Sequence, residues 1–288
     1  MKILGTGLTG LVGSRIVELL KDKYEFENIS RSTGVDIANK DSILHKIESS
    51  NSPIILHLAA KTDVDGCEKD KVFGEDGEAW RINVLGTQNV TDACSQANKK
   101  LIYISTDFVF GGTKEVYFEQ DIPNPINWYA RTKYEGEKIV QKSNSPWVIA
   151  RIAYPYRASF SKLDFFRAIL NRFKKNEQVF GVTDHIFTPT FVDDIAFAID
   201  GLIKSNEYGI FHAVGSQSLS PYDAAILIAK EFNLDLSKII KTTRAQYFKN
   251  RASRPFKLAL KNAKITKLGI HMRTFEEGIK EIKRQILY

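Results

Sequence analysis

Residues 5–13 read Gly5-Thr6-Gly7-Leu8-Thr9-Gly10-Leu11-Val12-Gly13, and their setting decides the fold. Lys2-Ile3-Leu4 before them opens a β-rich run, and residues 11–21 after them repeat apolar side chains at helical spacing. A glycine-rich turn between a strand and a helix suits a dinucleotide phosphate. Glycines let the backbone turn tightly and approach the ligand, while the helix start offers N–H groups and partial positive charge. Two phasings fit, Gly5-x-Gly7-x-x-Gly10 and Gly7-x-x-Gly10-x-x-Gly13, and the loop alone does not choose between them. Under either, Gly7, Leu8, Thr9, Gly10, Leu11, Val12 and Gly13 are the candidate phosphate loop.

Working outward, strand-like runs at 2–5, 26–30, 53–58, 101–106 and 147–151 alternate with helical patterns at 11–21, 41–49, 78–97 and 128–141. Such alternation implies parallel βαβ units. The continuous apolar character of Ile54-Ile55-Leu56 and Leu101-Ile102-Tyr103-Ile104 fits strands covered on both faces. The expected fold class is α/β, a doubly wound parallel sheet of Rossmann type with a smaller, mostly helical C-terminal lobe. Residues 1–150 are expected to form the first unit and 151–288 the second, with 187–214 returning to the first. Within the second, helices are predicted at 165–174, from Thr190-Phe191-Val192-Asp193 read as a capping box, and from Ser220-Pro221-Tyr222-Asp223 with proline at the first helical position; a short strand is predicted at 178–182.

The second strand ends at Ser30-Arg31-Ser32, where sites for NAD place a carboxylate against the ribose. A guanidinium between hydroxyls suits a 2′-phosphate instead, and no carboxylate follows until Asp36. NADP(H) is the expected cofactor, NAD(H) the alternative. Asp36, Ile37, Leu58, Ala59, Ala60 and Lys61 are assigned to the same ligand.

Tyr129 and Lys133 stand four residues apart and project from one face of a helix. A phenol with a reference pKa near 10 exchanges protons poorly at neutral pH; a neighbouring ammonium favours its phenolate, so Lys133 is expected to lower the Tyr129 pKa. With Ser105-Thr106-Asp107 at a strand end between the glycine loop and this helix, the chain resembles the extended short-chain dehydrogenase/reductase superfamily. It is most similar to the dTDP-4-dehydrorhamnose reductase family, through residues 58–65 (LAAKTDVD), 103–110 (YISTDFVF), 125–129 (PINWY) and Ser253-Arg254-Pro255.

That resemblance implies reduction of the 4-keto group of a nucleotide-linked 6-deoxyhexose. Lys133 would hold the nicotinamide ribose, Thr106 would polarise the carbonyl, and Tyr129 would give the proton as hydride arrives from NADPH. It also implies substrate contacts from Thr62, Val64, Asp107, Phe108 and Tyr154, and the expected nucleotide diphosphate points to Arg254 or a nearby lysine. Phe108 stands where a dehydratase carries its glutamate, so water elimination is disfavoured. A nucleotide-sugar epimerase retaining NAD and a noncatalytic NADP-binding regulatory subunit are the alternatives.

Composition narrows the rest. The formal charge of +7 comes from Lys and Arg spread along helices and enriched near the C-terminus, without the aromatic interleaving of a nucleic-acid surface. Two cysteines, Cys67 and Cys94, without C-x-x-C spacing, and five scattered histidines indicate neither disulfide nor metal. No apolar run approaches the roughly 20 residues of a membrane span. A strand beginning at Lys2 leaves no room for a leader, so a cytoplasmic location is expected; the expected assembly is a monomer or homodimer.

Overall fold

The computed structural model describes residues 1–287. From the N-terminus run β1 (Lys2–Thr6), α1 (Gly13–Leu20), β2 (Glu25–Ile29), α2 (Lys40–Glu48), β3 (Ile54–His57) and α3 (Val64–Asp70). Next come α4 (Glu78–Trp80), a π-helical turn (Arg81–Leu85) and α5 (Gly86–Gln96), then β4 (Lys100–Thr106), α6 (Trp128–Gln141) and β5 (Trp147–Ile152). The remainder holds β6 (Pro155–Tyr156), α7 (Phe165–Lys174), β7 (Val179–Val182), β8 (Thr190–Phe191), α8 (Val192–Lys204), β9 (Gly209–His212), α9 (Pro221–Glu231), β10 (Ile239–Thr242), α10 (Arg244–Tyr247), α11 (Ala263–Lys267) and α12 (Phe275–Leu287).

Six strands form one parallel sheet in the order β2-β1-β3-β4-β5-β9. The chain moves one way from β1 to β2 and the other way from β1 to β3, so a crevice opens beyond the carboxyl ends of these central strands. Alternate strand residues feed two cores. Ile3, Leu56 and Ile102 pack with Ile16 and Leu20 of α1 and with Ile195 and Ile199 of α8. Leu4, Ile55, Leu101 and Tyr103 pack with Ile43 and Ile47 of α2 and with Val90 of α5. A third, aromatic core of Tyr156, Phe166, Phe187, Phe191 and Phe275 holds the C-terminal lobe.

Two local expectations are corrected. Thr190 does not cap α8: it lies in β8, where its hydroxyl donates to the Thr188 carbonyl (3.2 Å) and accepts from the Gly215 N–H (3.1 Å). Its partner in the supposed box, Asp193, instead takes both Nε and an Nη of Arg15 at 2.7 Å, tying α8 to α1. Residues 78–97 are not one regular helix either, because the π turn at Arg81–Leu85 interrupts them. Ser220 does cap α9, accepting from the Asp223 N–H with Pro221 at the first position.

Among the described residues no helix is long and apolar enough to cross a membrane, and no cluster of three His, Cys, Asp or Glu could hold a metal ion. Cys67 and Cys94 are free and buried.

Candidate active site

The crevice is a cavity of about 780 Å³ running from the end of β2, past the glycine loop, to the C-terminal lobe. At the loop, the structure selects one phasing. Gly7 has φ +70° and a side chain there would meet the Ala59 backbone N at 2.7 Å, while one at Gly13 would strike the Gly7 carbonyl. Gly10 meets only the Gly7 carbonyl, at 3.3 Å, and otherwise faces the cavity. Gly5 sits inside β1, where only the movable Leu8 side chain would be displaced. The working pattern is therefore Gly7-x-x-Gly10-x-x-Gly13.

No side chain caps α1 and no acid stands in its first turn, so its N–H groups and dipole are left for an anion. This cradle fits a pyrophosphate. Thr9, Leu11 and Val12 line it, but Leu8 turns inward to the core.

Ser30, Arg31 and Ser32 line the far end with Asp36 and Ile37. Arg31 is exposed, and its Nε donates to Asp36 Oδ2 at 3.0 Å, so the carboxylate that follows it in sequence orients it. Its Nη groups make no hydrogen bond among the described residues, which leaves them for a ligand. Leu58, Ala59 and Ala60 line the middle; Lys61 does not, because its ammonium pairs with Glu78.

Thr106, Asp107, Phe108, Tyr129, Lys133 and Tyr154 meet at the other end, with Thr62 and Val64. Thr106 ends β4 and caps the turn after it, accepting from the Phe108 N–H (3.2 Å) and donating to Asp107 Oδ1 (3.1 Å). Asp107 is buried, which pushes its carboxyl up to about 7, and its second oxygen has no partner among the described residues. Asn127 caps α6, placing Tyr129 and Lys133 in its first two turns. Lys133 reaches across to the Ile104 carbonyl (2.8 Å) and lies 4.1 Å from the Tyr103 ring centre.

The expectation that Lys133 lowers the Tyr129 pKa is reversed. Burial pushes the phenol above its ordinary value, with the Thr106 hydroxyl pulling the other way, and burial pushes Lys133 down to about 7. Desolvation disfavours both charged forms, and the ammonium is directed at a carbonyl rather than at the phenol. Tyr129 is thereby kept protonated, the form a proton donor needs.

Arg254 does not reach the cavity. Its guanidinium pairs with Asp65 and the Ala252 carbonyl, so the diphosphate contact expected of it is not formed here. Residues that sequence reasoning passed over include Asp164 and Phe165, which line the cavity beside Tyr154, and His185, which bonds the Tyr154 hydroxyl at 3.2 Å. Tyr154 itself has φ +39°, a strained value for a tyrosine.

The RmlD substrate binding domain family matches residues 1–287. The chain belongs to this family. It is 30% identical to a dTDP-4-dehydrorhamnose reductase of Aggregatibacter actinomycetemcomitans over 299 residues, 98% of each chain. It is 29% identical to the methionine adenosyltransferase 2 subunit beta of Mus musculus over 310 residues, 97% of this chain and 86% of that one. A crystal structure of dTDP-4-dehydrorhamnose reductase from Bacillus anthracis in complex with NADP superposes with a TM-score of 0.90 at 28% identity, covering 99% of both chains. This chain sets its glycine cradle and its Tyr129/Lys133 helix on one parallel sheet.

Three buried histidines outside the cavity lining predict acid sensitivity. His57, His185 and His212 are buried, and burial pushes them down to about 3, 4 and 3. Each lies below its ordinary value of 6.5. Their contribution to stability is thus complete above that value and lost as pH falls toward the folded values, because only the unfolded chain takes up the protons. Asp107 and Asp194, raised by burial, oppose this with fewer groups. The urea midpoint should fall between pH 7 and pH 5; a rise over that interval would contradict the assignment.

Proposed function

We propose that this protein is an NADPH-dependent reductase of the 4-keto group of a nucleotide-linked 6-deoxyhexose. The observation that carries it is that one cavity has the glycine cradle and Arg31 at one end and Thr106, Tyr129 and Lys133 at the other. Its reductase relatives, and the structural neighbour that holds NADP, supply the substrate class and the cofactor. Residues 1–150 would hold the cofactor and 151–288 cover the sugar nucleotide, with 187–214 returning to the sheet layers.

When bound, the nicotinamide supplies the hydride. The chain does the rest. The Thr106 hydroxyl, turning from Asp107, would hydrogen-bond the substrate carbonyl; Tyr129 would pass its phenolic proton to that oxygen; and the Lys133 ammonium would steady the phenolate left behind. Burial helps this direction of reaction, since a phenol with a raised pKa stays loaded with its proton. Phe108 offers an apolar wall with no group to abstract a proton, its ring 6.0 Å from that of Tyr129. Reduction follows; dehydration does not.

The test follows NADPH oxidation with a dTDP-linked 4-keto-6-deoxyhexose, with the free ketosugar, and with the intact nucleotide-hexose. Oxidation with the first alone is expected. A 4-keto-6-deoxy product from the last would make the protein a dehydratase, and cofactor binding without turnover of any would make it a binding subunit.

Cofactor choice gives a separate prediction. Arg31→Ala should weaken NADPH by about ten- to a hundredfold, the worth of a charge-assisted contact, and leave NADH nearly unchanged. Fluorescence titration with the two cofactors measures it. Equal losses for both would remove Arg31 from 2′-phosphate recognition.

A further inference from the structure

Between residues 236 and 275 the chain carries no Asp or Glu. Arg254, buried in the middle of that stretch, must find its counter-ion elsewhere, and it finds Asp65 in the first turn of α3 at 2.5 Å. The same Asp65 oxygen accepts the Ala252 N–H at 3.0 Å. One residue further along, Asn127 Nδ2 donates to the Ser253 carbonyl at 2.9 Å, while Asn127 Oδ1 accepts the Ala130 N–H at 2.8 Å as the cap of α6. Two residues beyond that, His185 Nδ1 meets the Pro255 carbonyl at 2.9 Å.

The last contact fixes a tautomer. A carbonyl only accepts, so the neutral ring carries its proton on Nδ1, and Nε2 accepts from the Tyr154 hydroxyl. Tyr154 keeps only lone pairs for a ligand. Four consecutive residues, 252–255, are thus fastened to three places: beside Val64, at the start of the helix bearing Tyr129, and behind Tyr154. Val64, Tyr129 and Tyr154 are three walls of the same end of the cavity. The segment is anchored from its own side too, with the Arg254 guanidinium 5.1 Å from the Phe248 ring centre and the Arg244 guanidinium on the Arg254 carbonyl.

We propose that residues 252–255 are a strap that holds these three walls at one spacing, with Asp65, Asn127 and His185 as positioning residues acting through it. The Ser253-Arg254-Pro255 block then serves the site without touching its ligand. This rests on the reading of the Tyr154 end as the end that takes the sugar nucleotide. The strap sets how that ligand is held against Tyr129, and the glycine cradle is outside its reach.

Two substitutions isolate the strap. Asp65→Asn removes the charge that Arg254 pairs with. Asn127→Asp keeps the acceptor that caps α6, since aspartate is an equally good cap, and replaces the donor to Ser253 with an oxygen that the carbonyl repels. Three readouts are taken on the full-length protein: tryptic cleavage after the exposed Lys249 and Arg251, NADPH affinity by fluorescence, and kcat and KM for a nucleotide-linked 4-keto sugar. Asp65→Asn should speed cleavage by about ten- to a hundredfold, the worth of a charge-assisted bond, and Asn127→Asp by a few-fold. The sugar KM should rise in both, with NADPH affinity within about twofold of the parent, and the double variant should fall short of the product of the two single effects because both loosen one element.

Parental cleavage rates in both variants, a loss of NADPH affinity in step with the sugar KM, or fully multiplicative effects would overturn the strap. If the parent protein turns over no ketosugar, the functional reading alone fails, and the cleavage rates and their coupling still decide the strap.

Discussion

Tyr129→Phe keeps the fold and NADPH binding and loses about 10²–10⁴-fold in turnover, the usual contribution of a positioned proton donor. The phenol makes no hydrogen bond that the fold depends on, and its ring stays packed against Phe108 whether or not it carries a hydroxyl. The change therefore deletes one proton and little else. Thermal unfolding within a degree or two of the parent, fluorescence titration with NADPH, and single-turnover oxidation together separate chemistry from folding. Turnover equal to the parent's would show that another group delivers the proton, and Asp107, pushed up to about 7 in the same cavity, would be the next to examine.

The second large effect is on stability. Arg151 of β5 and Glu137 of α6 form a bidentate pair, Nε to Oε1 at 2.9 Å and Nη2 to Oε2 at 2.7 Å, with both side chains essentially inaccessible. Glu137→Ala strands the guanidinium among Phe110 and His212 without a counter-charge, and breaking such a buried pair costs about 3–5 kcal/mol. Glu137 also stands one turn after Lys133 and is the one group that raises its pKa against burial. The variant should thus unfold at markedly lower urea, and the protein that remains folded should hold Lys133 less protonated at neutral pH. A urea midpoint near that of the parent would mean that water reaches Arg151 easily, contrary to its packing.

The sequence disclosed the parts of this molecule whose causes are local. Apolar runs such as Ile54-Ile55-Leu56, short, β-branched and set between helical patterns, fit strands buried on both faces, and the glycine spacing between β1 and α1 suits a phosphate cradle. Where partners are distant, the reading failed in particular ways. Thr190 and Asp193 have the spacing of a capping box, but Gly215 and Arg15 compete for them across the fold and win. Arg254 looked free because its counter-ion lies 189 positions away. The π turn at Arg81–Leu85 has no local signature: it brings Asn83 to bond the Lys61 backbone and the Thr132 hydroxyl, a need defined only once α6 is in place. The Tyr129 pKa was misjudged because residue types announce charge but not the burial that suppresses it.

The placement of β9 bears on how the chain is made. β5 ends at Ile152, and its edge partner β9 is not complete until His212, about 60 residues later. At ribosomal rates of roughly 5–20 residues per second, the growing chain carries β5 with an open edge for roughly 3–12 seconds. That edge is hydrophobic, since Val148, Ile149 and Ala150 are all buried in the finished protein. An exposed, apolar strand edge is a template for pairing with other chains. Synthesis rate and chaperone capacity, rather than final stability, should therefore govern the soluble yield of this protein, and truncations ending between residues 152 and 209 should aggregate.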